Sequence, residues 1–116
     1  MENLKEFMLF FRMKPTKEQP TKEQQLAMHQ QWGRYIGGIA SNARLVSTSR
    51  LGFEGKTINN LSAVHDEIRV TEGETISGSM VFKAGDLDEA TQMAMDCPIL
   101  RLGGSIEIRS IIPMEA

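Results

Sequence analysis

One cysteine, two histidines, one tryptophan and one tyrosine are all that this 116-residue chain holds of its chemically most distinctive side chains. A lone thiol, Cys97, excludes an internal disulfide and fits a reducing compartment. Two histidines and one cysteine fall short of the usual ligand set of a structural zinc site, so no metal centre is expected. GxGxxG, P-loop, HExxH and GxSxG signatures are all absent, which argues against nucleotide-dependent chemistry and leaves no cofactor to expect. Charge of one sign is lacking too: 13 Lys and Arg stand against 15 Asp and Glu, a net −2. That balance gives no electrostatic reason for a nucleic acid or an anionic membrane as partner. Apolar runs such as residues 7–11 stop well short of the roughly 18 residues of a membrane span. Glu2 and Glu6, with no small-residue cleavage site, argue against a secretory signal, and the cytoplasm is the expected location.

What remains is an ordinary globular composition, 41% hydrophobic and 24% charged. A chain of 13.0 kDa fits one domain, residues 1–116. Folding buries roughly two-thirds of its unfolded surface, enough for a core without staples.

Residues 4–13 read as a strand with Phe7, Leu9, Phe11 and Met13 on one face and Met8, Phe10 and Arg12 on the other. Both faces are largely apolar, so both should be covered. Residues 15–24 spell PTKEQPTKEQ, a tandem repeat too short for a solenoid and read as a lengthened polar loop. Its second copy starts a helix: Thr21 is a good N-cap, Gln24 completes a capping box, and Pro20 blocks an earlier start. The helix extends to about residue 42, with Met28, Trp32, Ile36, Ile39, Ala40 and Ala43 in one arc. Gly33, Gly37 and Gly38 within it are expected where another backbone comes close.

Residues 44–51 form a second strand. Residues 56–59 and 67–71 are expected to pair as a small hairpin, and residues 75–84 form a strand whose inner side is Ile76, Met80 and Phe82. Asp86 with Glu89 reads as another capping box, opening a helix with Leu87, Ala90, Met93, Ala94 and Cys97 on its apolar face. Pro98 ends it. Residues 105–112 close the chain as a strand in which Ile106, Ile108 and Ile112 alternate with Glu107 and Arg109.

This is the β-α-β-β-α-β order of a ferredoxin-like α+β sandwich with one extra hairpin. Two helices cover one sheet face only. Met8, Phe10, Val81 and Ile111 are left on the other, and a homodimer with sheets face to face would bury them.

The segments KEFMLFFR, PTKEQ, QWGRYIGGIA, RLVSTSRLGFEGKTI, VTEG, VFKAGDLDEATQMAMDCPIL and GGSIEIRSIIP, in this order, resemble the YCII-related family in its DGPF-motif branch. The resemblance spans nearly the whole chain and implies a dimeric α+β barrel of ferredoxin-like domains in the bacterial cytoplasm. Most members of that family have no established activity. Some relatives carry a His–Asp pair proposed as catalytic, a few act on chlorinated aromatic substrates, and others are encoded near sigma factors. The chain departs from the branch after Val70-Thr71. Glu72-Gly73 leads almost directly into the next strand, without the Pro-Phe pair and with a shortened loop, which implies a more open or differently shaped cleft if that loop forms one of its walls.

His29 lies about 20° around the helix from Ile36, on the apolar side, and is the candidate proton-transfer residue; a hydrogen-bonded histidine in the core is the competing expectation. His65 and Asp66 are adjacent, so an extended backbone points them apart and argues against a direct dyad. Arg12, Arg50 and Arg109 are candidate ligand-binding groups. The first and last strands of a ferredoxin-like sheet are neighbours, which brings Arg12 near Glu107 and Arg109. A guanidinium on an apolar strand needs a partner: either an Arg–Glu pair that fixes dimer register or an anion from a carboxylate-bearing ligand. Trp32 lines a ligand pocket or fills the core. The eight methionines are spread without paired spacing and read as core filler, and Cys97 as an inert buried thiol.

The function expected from these observations is a small homodimer with a cleft for an anionic or aromatic molecule. Catalysis, if present, would be cofactor-free proton transfer or lyase-like chemistry at His29 with arginine assistance. A non-catalytic interaction or regulatory module is the alternative.

Overall fold

The computed structural model describes residues 3–15 and 20–114; residues 16–19, all of the repeat's first copy but Pro15, lie outside the described residues. The chain order is β1 (Lys5–Met13), α1 (Lys22–Ser41), β2 (Leu45–Arg50), β3 (Thr57–Ile58), β4 (Val64–His65), β5 (Thr75–Ala84), α2 (Leu87–Ala94), a 3₁₀ turn (Pro98–Leu100) and β6 (Ser105–Ser110). β2, β5, β1 and β6 form a four-stranded sheet in that order, and β3 and β4 pair separately. All three pairings in the larger sheet are antiparallel. With both helices on one face, the architecture is α+β and consistent with a ferredoxin-like fold.

The core follows from the period-2 pattern of β1. Phe7 pairs with Phe82 and Leu9 with Met80, so four large apolar side chains share one face and are buried there. Ile39 from α1, Ala90 and Ala94 from α2, and Cys97 and Ile99 beyond it close over them. Leu9, Met80 and Phe82 have no exposed area; burying each such side chain contributes about 1.5–3 kcal/mol.

The reciprocal capping box at α1 is present: the Gln24 N–H donates to Thr21 Oγ1 at 3.1 Å and the Thr21 N–H to Gln24 Oε1 at 3.0 Å. At α2 the expected box is only half formed. The Glu89 N–H donates to Asp86 Oδ1 at 2.8 Å, but the Glu89 carboxylate accepts from the Gly85 N–H and from Arg44. It reaches past the N-cap because Arg44, at the mouth of β2, offers it a cation.

Further corrections come from register, from turn chemistry and from where the elements end. The β1–β5 ladder shifts between Phe11, opposite Gly78, and Arg12, opposite Ile76. Ser77 is therefore an extra residue, a bulge that reverses the strand's facing direction. Thr75 turns inward and Ile76, expected inside, is exposed. Gly78 fits because a Cβ there would lie 2.7 Å from the Ser49 carbonyl oxygen. The second arm of the hairpin is residues 64–65 rather than 67–71, since Asn59 closes the turn early. Its Oδ1 accepts the Leu61 and Ala63 N–H groups at 2.9 and 3.0 Å. Finally, β6 ends at Ser110, leaving Ile112 exposed, and Leu87 at the start of α2 is exposed as well.

Gly33, Gly37 and Gly38 correct a packing expectation. A Cβ at any of them would meet nothing within 4 Å, so no backbone approaches and they lie in open space. The packed stripe of α1 is Met28, Trp32, Tyr35, Ile36 and Ile39, and Ala40 and Ala43 fall outside it.

On the opposite sheet face Met8, Phe10, Val81 and Ile111 are only half-buried. The chain leaves 8965 Å² accessible, about 2,600 Å² more than a compact monomer of its mass. Its radius of gyration, 16.0 Å, likewise exceeds the roughly 13 Å of a compact domain this long.

Candidate functional site

Where β1 ends and β5 begins, a cleft of about 410 Å³ opens between the sheet and the segment that carries the small hairpin. Arg12 enters from β1, and Thr75 and Ile76 from β5. Glu54, Lys56 and Thr57 come from the stretch leading into β3, and Ile68 and Arg69 from the stretch after β4. The bulge at Ser77 is what turns Ile76 to the same sheet face as Arg12, its partner in the ladder.

Local hydrogen bonds hold these walls. Thr75, almost fully buried, donates its hydroxyl to the Arg69 carbonyl at 2.8 Å, and Thr57 donates to the Glu67 carbonyl at 2.7 Å. Ser105 donates to Glu74 Oε1 at 2.9 Å, tying β6 to the turn before β5. Glu72 and Gly73, with φ of 54° and 78°, form a tight two-residue turn closed by the Thr71–Glu74 bridge. Positive φ at both central positions is the signature of a type I′ hairpin turn.

Three cations meet in the cleft. Lys56 is matched by Asp66 at 3.0 Å. Neither Arg12 nor Arg69 has an ion-pair partner among the described residues, and Glu54 is the one carboxylate that lines the cleft with them. Arg12 is half-buried at the end of an apolar strand, where its charge is poorly solvated and gains from an anionic partner. Ile68 and Ile76 supply apolar wall beside it.

The other residues singled out by sequence are dispersed. His29 is exposed on α1, contrary to its expected place on the apolar side, and has no hydrogen-bond or ion-pair partner among the described residues. Trp32 meets Phe11 edge-on at 5.3 Å and Tyr35 at 6.3 Å between ring centroids, part of the packing under α1. Arg50 ends β2 opposite Gly78, which puts it on the helix-bearing side of the sheet, away from Arg12. Arg109 lies on the Arg12 side but is opposite Met8, whereas the β6 residue opposite Arg12 is Ser105. It pairs with Glu107 at 3.2 Å. The expected Arg–Glu pair thus exists within β6, and Arg12 is left out of it. His65 faces Thr57 across the hairpin while Asp66 turns to Lys56, so these neighbours form no dyad.

A second, larger hollow of about 860 Å³ runs between α1 and the α2–3₁₀ segment, lined by Arg34, Tyr35, Arg44, Glu89, Met93 and Arg101 among others. Its groups are largely engaged. Arg44 pairs with Glu89, whose carboxyl is held below its usual range chiefly by the Gly85 N–H and then by Arg44. Tyr35 donates to the Met93 carbonyl at 2.9 Å, and burial raises its pKa well above the ordinary phenol value. Burial likewise pushes the Cys97 thiol up to about 11.

No cluster of three or more His, Cys, Asp or Glu among the described residues is arranged to hold a metal ion. No helix among them is long and apolar enough to cross a membrane.

A YCII-related domain matches residues 6–115, from the second residue of β1 to beyond β6. The chain belongs to the YCII-related family. No curated protein matches it. Among solved structures, a hydantoinase/carbamoylase family amidase from Burkholderia ambifaria aligns over 94% of this chain and 27% of its own, at 9% identity and a TM-score of 0.32. That likeness is too slight to bear on fold or activity. In this YCII-related chain the cleft at Arg12 is also lined by Arg69 and Lys56. Arg69 and Lys56 were not foreseen as its lining, because they reach it only through the path of the chain around the hairpin.

Proposed function

We propose that this YCII-related chain is a small-molecule-binding protein of the bacterial cytoplasm, in the DGPF branch of its family. It works as a homodimer whose sheets meet face to face as a dimeric α+β barrel. Its ligand carries a carboxylate or similar anion, held by Arg12 and Arg69, with an apolar or aromatic body against Ile68 and Ile76. The observation that carries this is the convergence on one cleft of two arginines that have no ion-pair partner among the described residues, one of them half-buried on an apolar strand. The half-buried Met8, Phe10, Val81 and Ile111 and the surplus accessible area support the dimer, since an apolar sheet face of this kind is an association surface.

Binding is favoured over turnover because no histidine lines the cleft: His29 is exposed on α1, and neither it nor His65 is among the cleft's lining residues. A thermal-shift screen of small carboxylates, phenols and lactones tests the reading. A ligand at 100 times its Kd stabilises by about 2.7 kcal/mol, roughly 10 °C for a domain of this size. A shift abolished by Arg12→Ala and retained by His29→Ala is expected. A carboxylate shift unaffected by Arg12→Ala would remove the cleft as its site.

A further inference from the structure

The β3–β4 hairpin is built in a way that its own protomer does not explain. Among the described residues it joins no other strand, and none of its residues belongs to the core. A two-stranded hairpin standing by itself is marginal in water. Ile58 and Val64 nevertheless oppose each other on one face and Leu61 stands at the tip, all well exposed at 68%, 56% and 82%. The run TINNLSAV, residues 57–64, contains no charged side chain, although a projecting loop gains solubility from charge. On the other face Thr57, opposite His65, contributes to the Arg12 cleft.

We infer that this hairpin is an arm that packs on a second copy of the chain through Ile58, Leu61 and Val64, so that the Arg12 cleft is fully walled only in the dimer. The inference rests on the sheet-face dimer proposed above and adds to it. The surplus of accessible surface, about 2,600 Å² over a compact monomer, is several times the roughly 800 Å² that a standard interface takes from each partner. The arm adjoins the sheet face, because Arg12 and Ile76 on that face line the same cleft as Thr57. A contact there is continuous with the sheet interface. An uncharged apolar tip suits another copy of itself, where a charged partner would require complementary groups it does not have.

Fixing the arm also fixes Lys56 and Thr57, which lead into it and line the cleft. Ligand affinity and assembly are then coupled.

Hydrogen exchange at high and low protein concentration tests this, together with sedimentation of Ile58→Ser/Val64→Ser and of Phe10→Glu. Both substituted arm residues are exposed, so the fold survives their replacement. The wild type is expected to be a dimer in which residues 57–65 exchange at least tenfold more slowly than after dilution to monomer. Ile58→Ser/Val64→Ser should weaken the dimer at least tenfold, and Phe10→Glu should abolish it. A wild-type dimer whose hairpin exchanges at one rate at both concentrations, and whose arm variant associates as tightly, would overturn the arm and leave the sheet dimer standing. Protection independent of concentration would mean the arm packs on its own protomer. A monomer at all concentrations would overturn the sheet dimer and the arm with it.

Discussion

One oxygen of Glu89 joins two parts of the chain: it accepts the Gly85 N–H at 2.9 Å and the Arg44 guanidinium, linking the first turn of α2 to the start of β2. Its carboxyl is held below the usual value first by the Gly85 hydrogen bond and then by Arg44. In the acid range the unfolded chain therefore binds a proton more readily than the folded one at this site. The contribution is complete above the ordinary carboxylate pKa and is lost as pH falls through the lowered folded value. Glu89→Gln is expected to lower the melting temperature at pH 7 and to leave a shallower decline on acidification. Melting curves of both proteins from pH 7 to pH 3 check it.

Two glycine substitutions should move stability in opposite directions. At Gly37 a methyl group meets nothing within 4 Å, so Gly37→Ala gains helix propensity, about 1 kcal/mol. At Gly78 the methyl lies 2.7 Å from the Ser49 carbonyl oxygen, and Gly78→Ala forces β2 away from β5. A loss of about 1–3 kcal/mol is expected, as for other forced fits in packed structure. Urea midpoints of the two variants measure both signs.

The turn at Glu72-Gly73 asks a glutamate to hold φ of 54°. Asn tolerates that region and favours the first central position of a type I′ turn. Glu72→Asn should stabilise by about 0.5–1 kcal/mol, and Glu72→Val should destabilise, both readable from denaturant midpoints.

Cys97 is buried, and its thiol is pushed up to about 11 by that burial. The folded chain therefore keeps the proton at pH values where the unfolded chain has lost it. Stability from this group is present below the ordinary thiol pKa and declines as pH rises from about 8.5 towards 11. A thiol reagent at pH 8 should modify native protein far more slowly than urea-unfolded protein. Cys97→Ala should flatten the alkaline decline of the melting temperature.

Much of the fold could be read from local pattern. Alternation along β1 gave its two faces, Thr21 with Gln24 marked the start of α1, and residues 75–84 were bounded as the structure has them. What escaped was set by tertiary geometry. The bulge that turns Ile76 outward depends on how β5 registers against β1, and a strict period of two cannot contain it. Asn59 ends β3 through its side chain, a turn signal outweighed in the sequence by the β-forming residues further on. The open space around Gly33, Gly37 and Gly38 is visible only once the neighbours of α1 are known.

The site divided in the same way. Arg12 stood out because a charge on an apolar strand needs a partner, and it lies in the cleft. Arg50 and Arg109 had the same chemistry but a different face or a nearer carboxylate. Arg69 and Lys56 carry no local signal, since their place beside Arg12 is set by the long connection from β2 to β5.

Titration calorimetry of benzoate against the wild type and Arg12→Gln, with benzamide as the uncharged counterpart, tests the anion cleft most directly. Benzoate should bind the wild type, benzamide should bind at least tenfold more weakly, and Arg12→Gln should bring benzoate down to the level of benzamide. Equal binding of benzoate and benzamide, or benzoate binding that survives Arg12→Gln unchanged, would contradict the anion site at Arg12.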